Sequence, residues 1–150
     1  MKVLVPVDGS TYSQEALKVA IDYVKIKGAD LNVISVVQNV GGALEDHEIS
    51  PSRIEKVTES LSQRAEEVVK QACDMLAAEK VMSVSAKAVT ATVSVPDAII
   101  DYAAAEGVDL IIMGSKGLSV SSKIKLGSVA AHVIKHCHCS VYLVKTPGKE

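Results

Sequence analysis

The sequence predicts an α/β fold: an open, five-stranded parallel sheet with helices on both faces. Three observations predict it. Short, largely apolar β-type runs alternate with segments of helical periodicity in the order βαβαβαβαβ, which argues for parallel strands joined by right-handed crossovers. The first, second and fourth of these runs hardly alternate between polar and apolar residues, the mark of strands covered on both sides. Two of the runs end at Asp8 and at Gly114, positions where such sheets open a ligand crevice beyond the carboxyl ends of their strands.

Lys2 to Val7 forms the first run and is bounded by Asp8-Gly9-Ser10. Tyr12 to Lys27 follows with Ala16, Leu17, Ala20, Ile21 and Val24 on one helical face and Gly28 placed to end it. Leu31 to Val37 is the second strand. The connection from Gln38 to Ser52, with Gly41-Gly42 and the acidic Glu45, Asp46 and Glu48, is long for a compact α/β domain and reads as a lid or mobile segment, poorly ordered or ordered by a ligand. Arg53 to Glu79 is a long helix with Ile54, Val57, Leu61, Ala65, Val68, Val69, Ala72, Cys73 and Leu76 on its core face; Cys73 reads as a core residue. Val81 to Thr90 is the third strand, near an edge. Val95 to Glu106 is a short helix with Pro96 in its first turn and Gly107 after its end. Asp109 to Met113 is the fourth strand, Ser128 to His136 the last helix and Ser140 to Lys145 the fifth strand.

The 150 residues are 48% hydrophobic and 23% charged, which predicts a single globular domain over 1–150 that buries about two thirds of its unfolded surface. Phe and Trp are absent and only four Tyr occur, so the core is aliphatic. A net charge of −2 gives no overall electrostatic case for nucleic acid or an anionic membrane. No apolar run approaches the ~18 residues of a membrane span, and the N-terminal MKVLVPVDG is too short in apolar residues for a signal-peptide core; the expected location is the cytoplasm. Three cysteines make no disulfide framework.

The chemistry concentrates in Met113 to Val129, MGSKGLSVSSKIKLGSV. Gly114 and Gly117 lack a Cβ and are free to take positive φ and bring backbone N–H groups close to an anion. Gly127 and Ser128 place the positive end of a helix at the same point. Lys116, Lys123 and Lys125 lie in this loop, and no Asp or Glu occurs from Gly114 through Lys149. Neither GxxxxGK[ST] nor GxGxxG is present. Taken alone, the glycine spacing also fits an ordinary strand-to-helix connection with a solvated lysine face. Asp8 has two readings as well: a carboxylate that accepts ribose hydroxyls, or a cap for the first helix, which Ser10 or Thr11 would equally provide.

Gly114-x2-Gly117-x9-Gly127-Ser128, together with VLVPVDGS, LNVISVV and DLIIMGSKG, resembles the universal stress protein family, in its ATP-binding branch, over nearly the whole chain. The resemblance implies a Rossmann-like sheet of the adenine nucleotide alpha hydrolase type, with strand order 3-2-1-4-5. It implies a cofactor-binding set of Pro6 and Val7 at the adenine wall, Asp8 on the ribose, Val36 reading the adenine edge through its backbone and Met113 beside ribose or adenine. Gly114, Gly117, Gly127 and Ser128 then hold the triphosphate, with Val129 closing the stretch and Lys116 as a flexible cation beside it. The implied ligand is ATP, or AMP or ADP, with or without Mg2+. The implied partner is a second copy, joined as a homodimer through the edge strand Val141, Tyr142, Leu143 and Val144. The chain departs from the family at Val93-Ser94-Val95-Pro96, where relatives commonly carry a glycine.

No catalytic residue is assigned. ATP hydrolysis needs groups that position water and hold Mg2+, and the phosphate half offers none, so the first expectation is a regulatory module in stress response. The alternatives are a weak ATPase or phosphotransferase that borrows a partner's residues, and a nucleotide-free interaction module. His132-x3-His136-Cys137-His138-Cys139 has ligand-type residues, but no second pair completes a standard site; the expectation is no metal.

Overall fold

A computed structural model of the chain describes residues 1–40, 49–83, 85–118 and 125–146. Its strands are β1 (Lys2–Pro6), β2 (Asp30–Val37), β3 (Ser85–Thr90), β4 (Leu110–Gly114) and β5 (Ser140–Val144). The helices of the described residues are α1 (Thr11–Lys27), α2 (Pro51–Ala78), α3 (Val95–Ala105) and α4 (Ser128–His136). All strand pairs are parallel, in the order β3-β2-β1-β4-β5. β1 is paired on both sides, Val3 facing Leu31 of β2 and Leu110 of β4, while β3 and β5 are the edges.

Local chemistry sets the helix ends. Ser10 caps α1 by accepting the Ser13 N–H, and Gly28 ends it at φ 68°, donating to the Val24 carbonyl. Ser50 accepts the Arg53 N–H ahead of Pro51, which opens α2, and Ser94 accepts the Asp97 N–H to open α3. That serine cap shapes the stretch Val93-Ser94-Val95-Pro96. Gly107, at φ 65°, follows the end of α3.

The sheet separates two aliphatic clusters, because successive strand residues point to opposite faces. Val3, Val5, Leu31 and Val33 meet Leu17 of α1 and Leu76 of α2 on one face. Leu4, Ile34 and Ile111 meet Ile99 of α3 and Val133 of α4 on the other. Each such fully buried side chain contributes about 1.5–3 kcal/mol relative to exposure.

Three expectations change. The apolar stripe of α2 is not buried along its length: Ala65, Val68, Val69, Ala72 and Leu76 are buried, whereas Val57 is 41% exposed. A 28-residue helix is about 42 Å long, and the eight residues of β2 span only about 26 Å, so the first turns of α2 run past the sheet. Cys73 is only partly buried. The third strand begins at Ser85, not Val81, because Lys80 takes φ 57° and Val81 donates back to the Leu76 carbonyl; the chain there is still finishing α2. Val84, Gly41, Gly42, Glu45, Asp46, Glu48, Lys123 and Lys149 lie outside the described residues. No helix among the described residues is long and apolar enough to cross a membrane.

Candidate nucleotide site

Strand order reverses between β1 and β4, which are neighbours in the sheet although far apart in sequence. Their following segments diverge, and a crevice opens past their carboxyl ends. A cavity of about 360 Å3 occupies it, within the size range of small-molecule sites. All eleven residues named from the sequence line this cavity. Pro6, Val7 and Asp8 come from the end of β1, Val36 from β2, and Met113 and Gly114 from β4. Lys116 and Gly117 come from the loop, and Gly127, Ser128 and Val129 from the start of α4.

Asp8 is held by the turn it begins. Its Oδ1 accepts the Ser10 N–H at 2.9 Å, and its own N–H donates to Ser13 Oγ at 3.3 Å. Since Ser10 caps α1, the carboxylate is not consumed as a helix cap. A Cβ built on Gly117 would fall 2.8 Å from Asp8 Oδ2. The absence of a side chain at Gly117 is therefore what lets this carboxylate and the loop after β4 share one wall. Gly9 turns the chain at φ 85°, and a Cβ there would lie 3.1 Å from Val68 Cγ2.

The expected positive φ at Gly114 and Gly117 is not observed; among the described residues the glycines in the left-handed region are Gly9, Gly28 and Gly107. Gly114 serves close packing instead. A Cβ there would meet the Tyr12 carbonyl oxygen at 2.9 Å and the Tyr12 carbonyl carbon at 3.0 Å, so β4 and the start of α1 approach to backbone contact.

At the far end of the loop, the Gly127 N–H donates to the Ser115 carbonyl at 2.6 Å, and Ser115 is buried. This bond closes the loop onto β4. Gly127 is the residue before α4 and offers no side-chain cap, so the first N–H groups of α4 lie at the cavity wall with the positive end of the helix dipole. Lys116 adds a cation, its Nζ 5.8 Å from the centre of the Tyr12 ring. Among the described residues no aromatic side chain lines the cavity, and Asp8 is its one carboxylate. The arrangement suits an anion joined to a flat apolar group that offers hydroxyls.

Sequence reasoning overlooked the wall contributed by α2, which is Leu61, Arg64, Ala65 and Val68, and the contribution of Val95 and Ile99 from α3. Helical periodicity put Leu61, Ala65 and Val68 on an apolar face, but that face reads as core. No sequence signal marked Arg64.

The histidine and cysteine cluster lies apart from the cavity lining. Asp97 Oδ1 is 3.0 Å from His132 Nε2, and the Ser94 hydroxyl donates to Asp97 Oδ2 at 2.7 Å. The Ser94 hydrogen bond, reinforced by His132, holds the Asp97 carboxyl below its ordinary range. The His132 and His136 rings lie side by side, tilted to one another, with centres 4.5 Å apart. Cys137 Sγ donates to the Cys139 carbonyl at 3.2 Å, and burial, with Cys137 beside it, pushes the Cys139 thiol up. Among the described residues no group of three or more His, Cys, Asp or Glu is placed to hold a metal ion.

The family model for the universal stress protein family matches residues 1–145. A universal stress protein of Methanocaldococcus jannaschii is 33% identical over 99% of this chain and 84% of its own. The solved structure of the universal stress protein UspA from Lactobacillus plantarum superposes with a TM-score of 0.81 at 22% identity, covering 96% of this chain and 97% of its own. The same fold appears in the universal stress protein from Archaeoglobus fulgidus in complex with dAMP, with a TM-score of 0.68, 22% identity and coverage of 95% and 96%. An Arabidopsis thaliana family protein with AMP bound has a TM-score of 0.66 at 16% identity, with coverage of 98% and 92%.

Proposed function

The chain belongs to the universal stress protein family, and from that premise we propose that its cavity binds an adenine nucleotide, ATP or a shorter form, as a nucleotide-dependent regulatory module in stress response. The observation that carries this reading is the meeting of Asp8 and the uncapped first turn of α4 across Gly117, in one aliphatic cavity. Phosphates would take the N–H groups of α4 and the loop, with Lys116 as a mobile counter-charge. Asp8 Oδ2, the oxygen not engaged by Ser10, would accept a ribose hydroxyl. The base would lie against aliphatic side chains, Val36 and Val37 among them, where the backbone supplies polar edges. Relatives of the same fold that hold dAMP and AMP support the ligand class. Mg2+ would travel with the phosphates, since the described cavity lining offers no second carboxylate.

The same reading includes a homodimer. β5 is an edge strand, and an unpaired edge is a natural seam for a two-fold partner. Ligand state would then be read at the surface around the cavity.

Thermal unfolding tests the assignment. ATP or AMP at about 100 times its Kd should add about 2.7 kcal/mol of stability and raise Tm by roughly 5–10 °C for a chain of this size. A Tm unmoved by millimolar concentrations of every adenine nucleotide would refute it.

A further inference from the structure

We propose that Arg64 is a phosphate-binding residue of this cavity, contributed by α2 and outside every loop motif of the chain; the proposal rests on the nucleotide reading above. α2 reaches the cavity with Leu61, Arg64, Ala65 and Val68, a spacing that brings one helical face to one wall. Three of the four are aliphatic, and the fourth is a guanidinium. Arg64 Nη2 lies 4.0 Å from the point a Cβ on Gly9 would occupy, so the cation stands over the turn that holds Asp8.

Among the described residues its charge is not already spent. Among the described residues Arg64 has no ion pair, neither with Asp8, which lines the same cavity, nor with Glu67 three residues along its own helix. A solvent-reachable guanidinium held beside a cavity with an uncapped helix end, and without an acidic partner among the described residues, is matched by a phosphate. Its planar fork fits phosphate oxygens bidentately. Lys116 enters from the loop after β4 and Arg64 from α2, so Asp8 has Gly117 against its Oδ2 on one side and the guanidinium over the adjoining Gly9. Two phosphate positions meet this geometry: the chain on the ribose 5′ carbon, and a phosphate on a ribose hydroxyl near Asp8.

Calorimetric titrations of the full chain with adenosine, AMP, ATP and 3′-phosphoadenosine 5′-phosphate separate these cases, using wild type, Arg64→Gln and Arg64→Lys. The Gln variant should bind adenosine as wild type does and bind the phosphorylated ligands about tenfold more weakly, with Lys recovering part of the loss. A loss of equal size for AMP, ATP and the 3′-phosphate assigns the 5′ chain; a larger loss for the 3′-phosphate assigns the ribose side. Arg64→Gln titrations that match wild type for all four ligands would overturn the proposal, as would an equal loss with adenosine. Wild type that binds none of the four removes the nucleotide reading itself, and the Arg64 role with it.

Discussion

Gly114 and Gly117 stand three residues apart in one loop motif, yet the structure gives them different work, and alanine at each should separate stability from binding. A Cβ at Gly117 would lie 2.8 Å from Asp8 Oδ2, about 0.6 Å inside ordinary van der Waals contact. The backbone there is outside the left-handed region, so alanine adds no φ strain, and it even removes some freedom from the unfolded chain, worth about 0.4–1 kcal/mol. What must yield is the Asp8 carboxylate, which is tied through Oδ1 to the Ser10 N–H. Breaking that charged hydrogen bond costs about 1.5–3 kcal/mol. Gly117→Ala should therefore lose about 0.5–2.6 kcal/mol of stability, while the displaced carboxylate weakens AMP binding by about tenfold or more. At Gly114 the obstruction is the Tyr12 backbone, with its carbonyl oxygen at 2.9 Å, which cannot rotate away. Gly114→Ala should cost about 1–3 kcal/mol by overpacking, a fall of roughly 2–10 °C in Tm. The assay is chemical denaturation paired with calorimetric AMP titration of both variants. Wild-type AMP affinity in Gly117→Ala, or wild-type stability in Gly114→Ala, would refute this division of roles.

Other outcomes follow from single contacts. The Asp97 carboxyl has a lowered pKa in the folded state, so its contribution is present above the unfolded carboxyl value near pH ~4 and is lost as pH falls through the lower folded value. The denaturation midpoints of wild type and Asp97→Asn should differ at about pH 6 and converge as pH falls through the lowered folded value; a gap that persists in strong acid would contradict the linkage. Tyr142, 46% exposed on edge strand β5, is a better probe of dimerisation than Val141 or Leu143, which pack against the α3–α4 core. Tyr142→Lys should shift the protein to monomers in sedimentation velocity, and unchanged dimers would remove this surface. The Cys139 thiol is pushed up by burial, so it should be alkylated more slowly at pH 7.5 than an unhindered thiol; modification as fast as free cysteine would contradict that placement.

Most of the fold was legible because the strands are aliphatic runs covered on two faces and the helices carry their own punctuation. Gly28 and Gly107 end helices in the left-handed region, and Pro51 and Pro96 sit in first turns after serine caps. Such signals are local, and the helix limits read from the sequence fall within two residues of those observed; a start of α2 at Arg53 overlooks the Ser50-Pro51 signal. The start of β3 was harder, since Lys80 adopts a positive φ that its residue type does not announce. Burial along α2 was illegible for a different reason: periodicity shows that Ile54, Val57 and Leu61 share a face with Leu76, but not that the sheet stops short of them. In the site, the residues named from the glycine pattern all line one cavity, while the pattern mistook what Gly114 does, because freedom of φ and tolerance of close packing are the same deletion of a Cβ. Arg64 was invisible because an arginine on an exposed helical position is ordinary until the fold sets it over the turn at Gly9.

On the proposed function, Asp8, the loop after β4 and the start of α4 form one nucleotide site. Calorimetric titration of nucleotide-free protein with ATP tests it most directly, run beside a Gly117→Val, Gly127→Val double variant whose folding is checked by circular dichroism. Wild type should bind about one ATP per chain, and the folded variant none. An absence of binding in wild type, or equal binding in the variant, would contradict it.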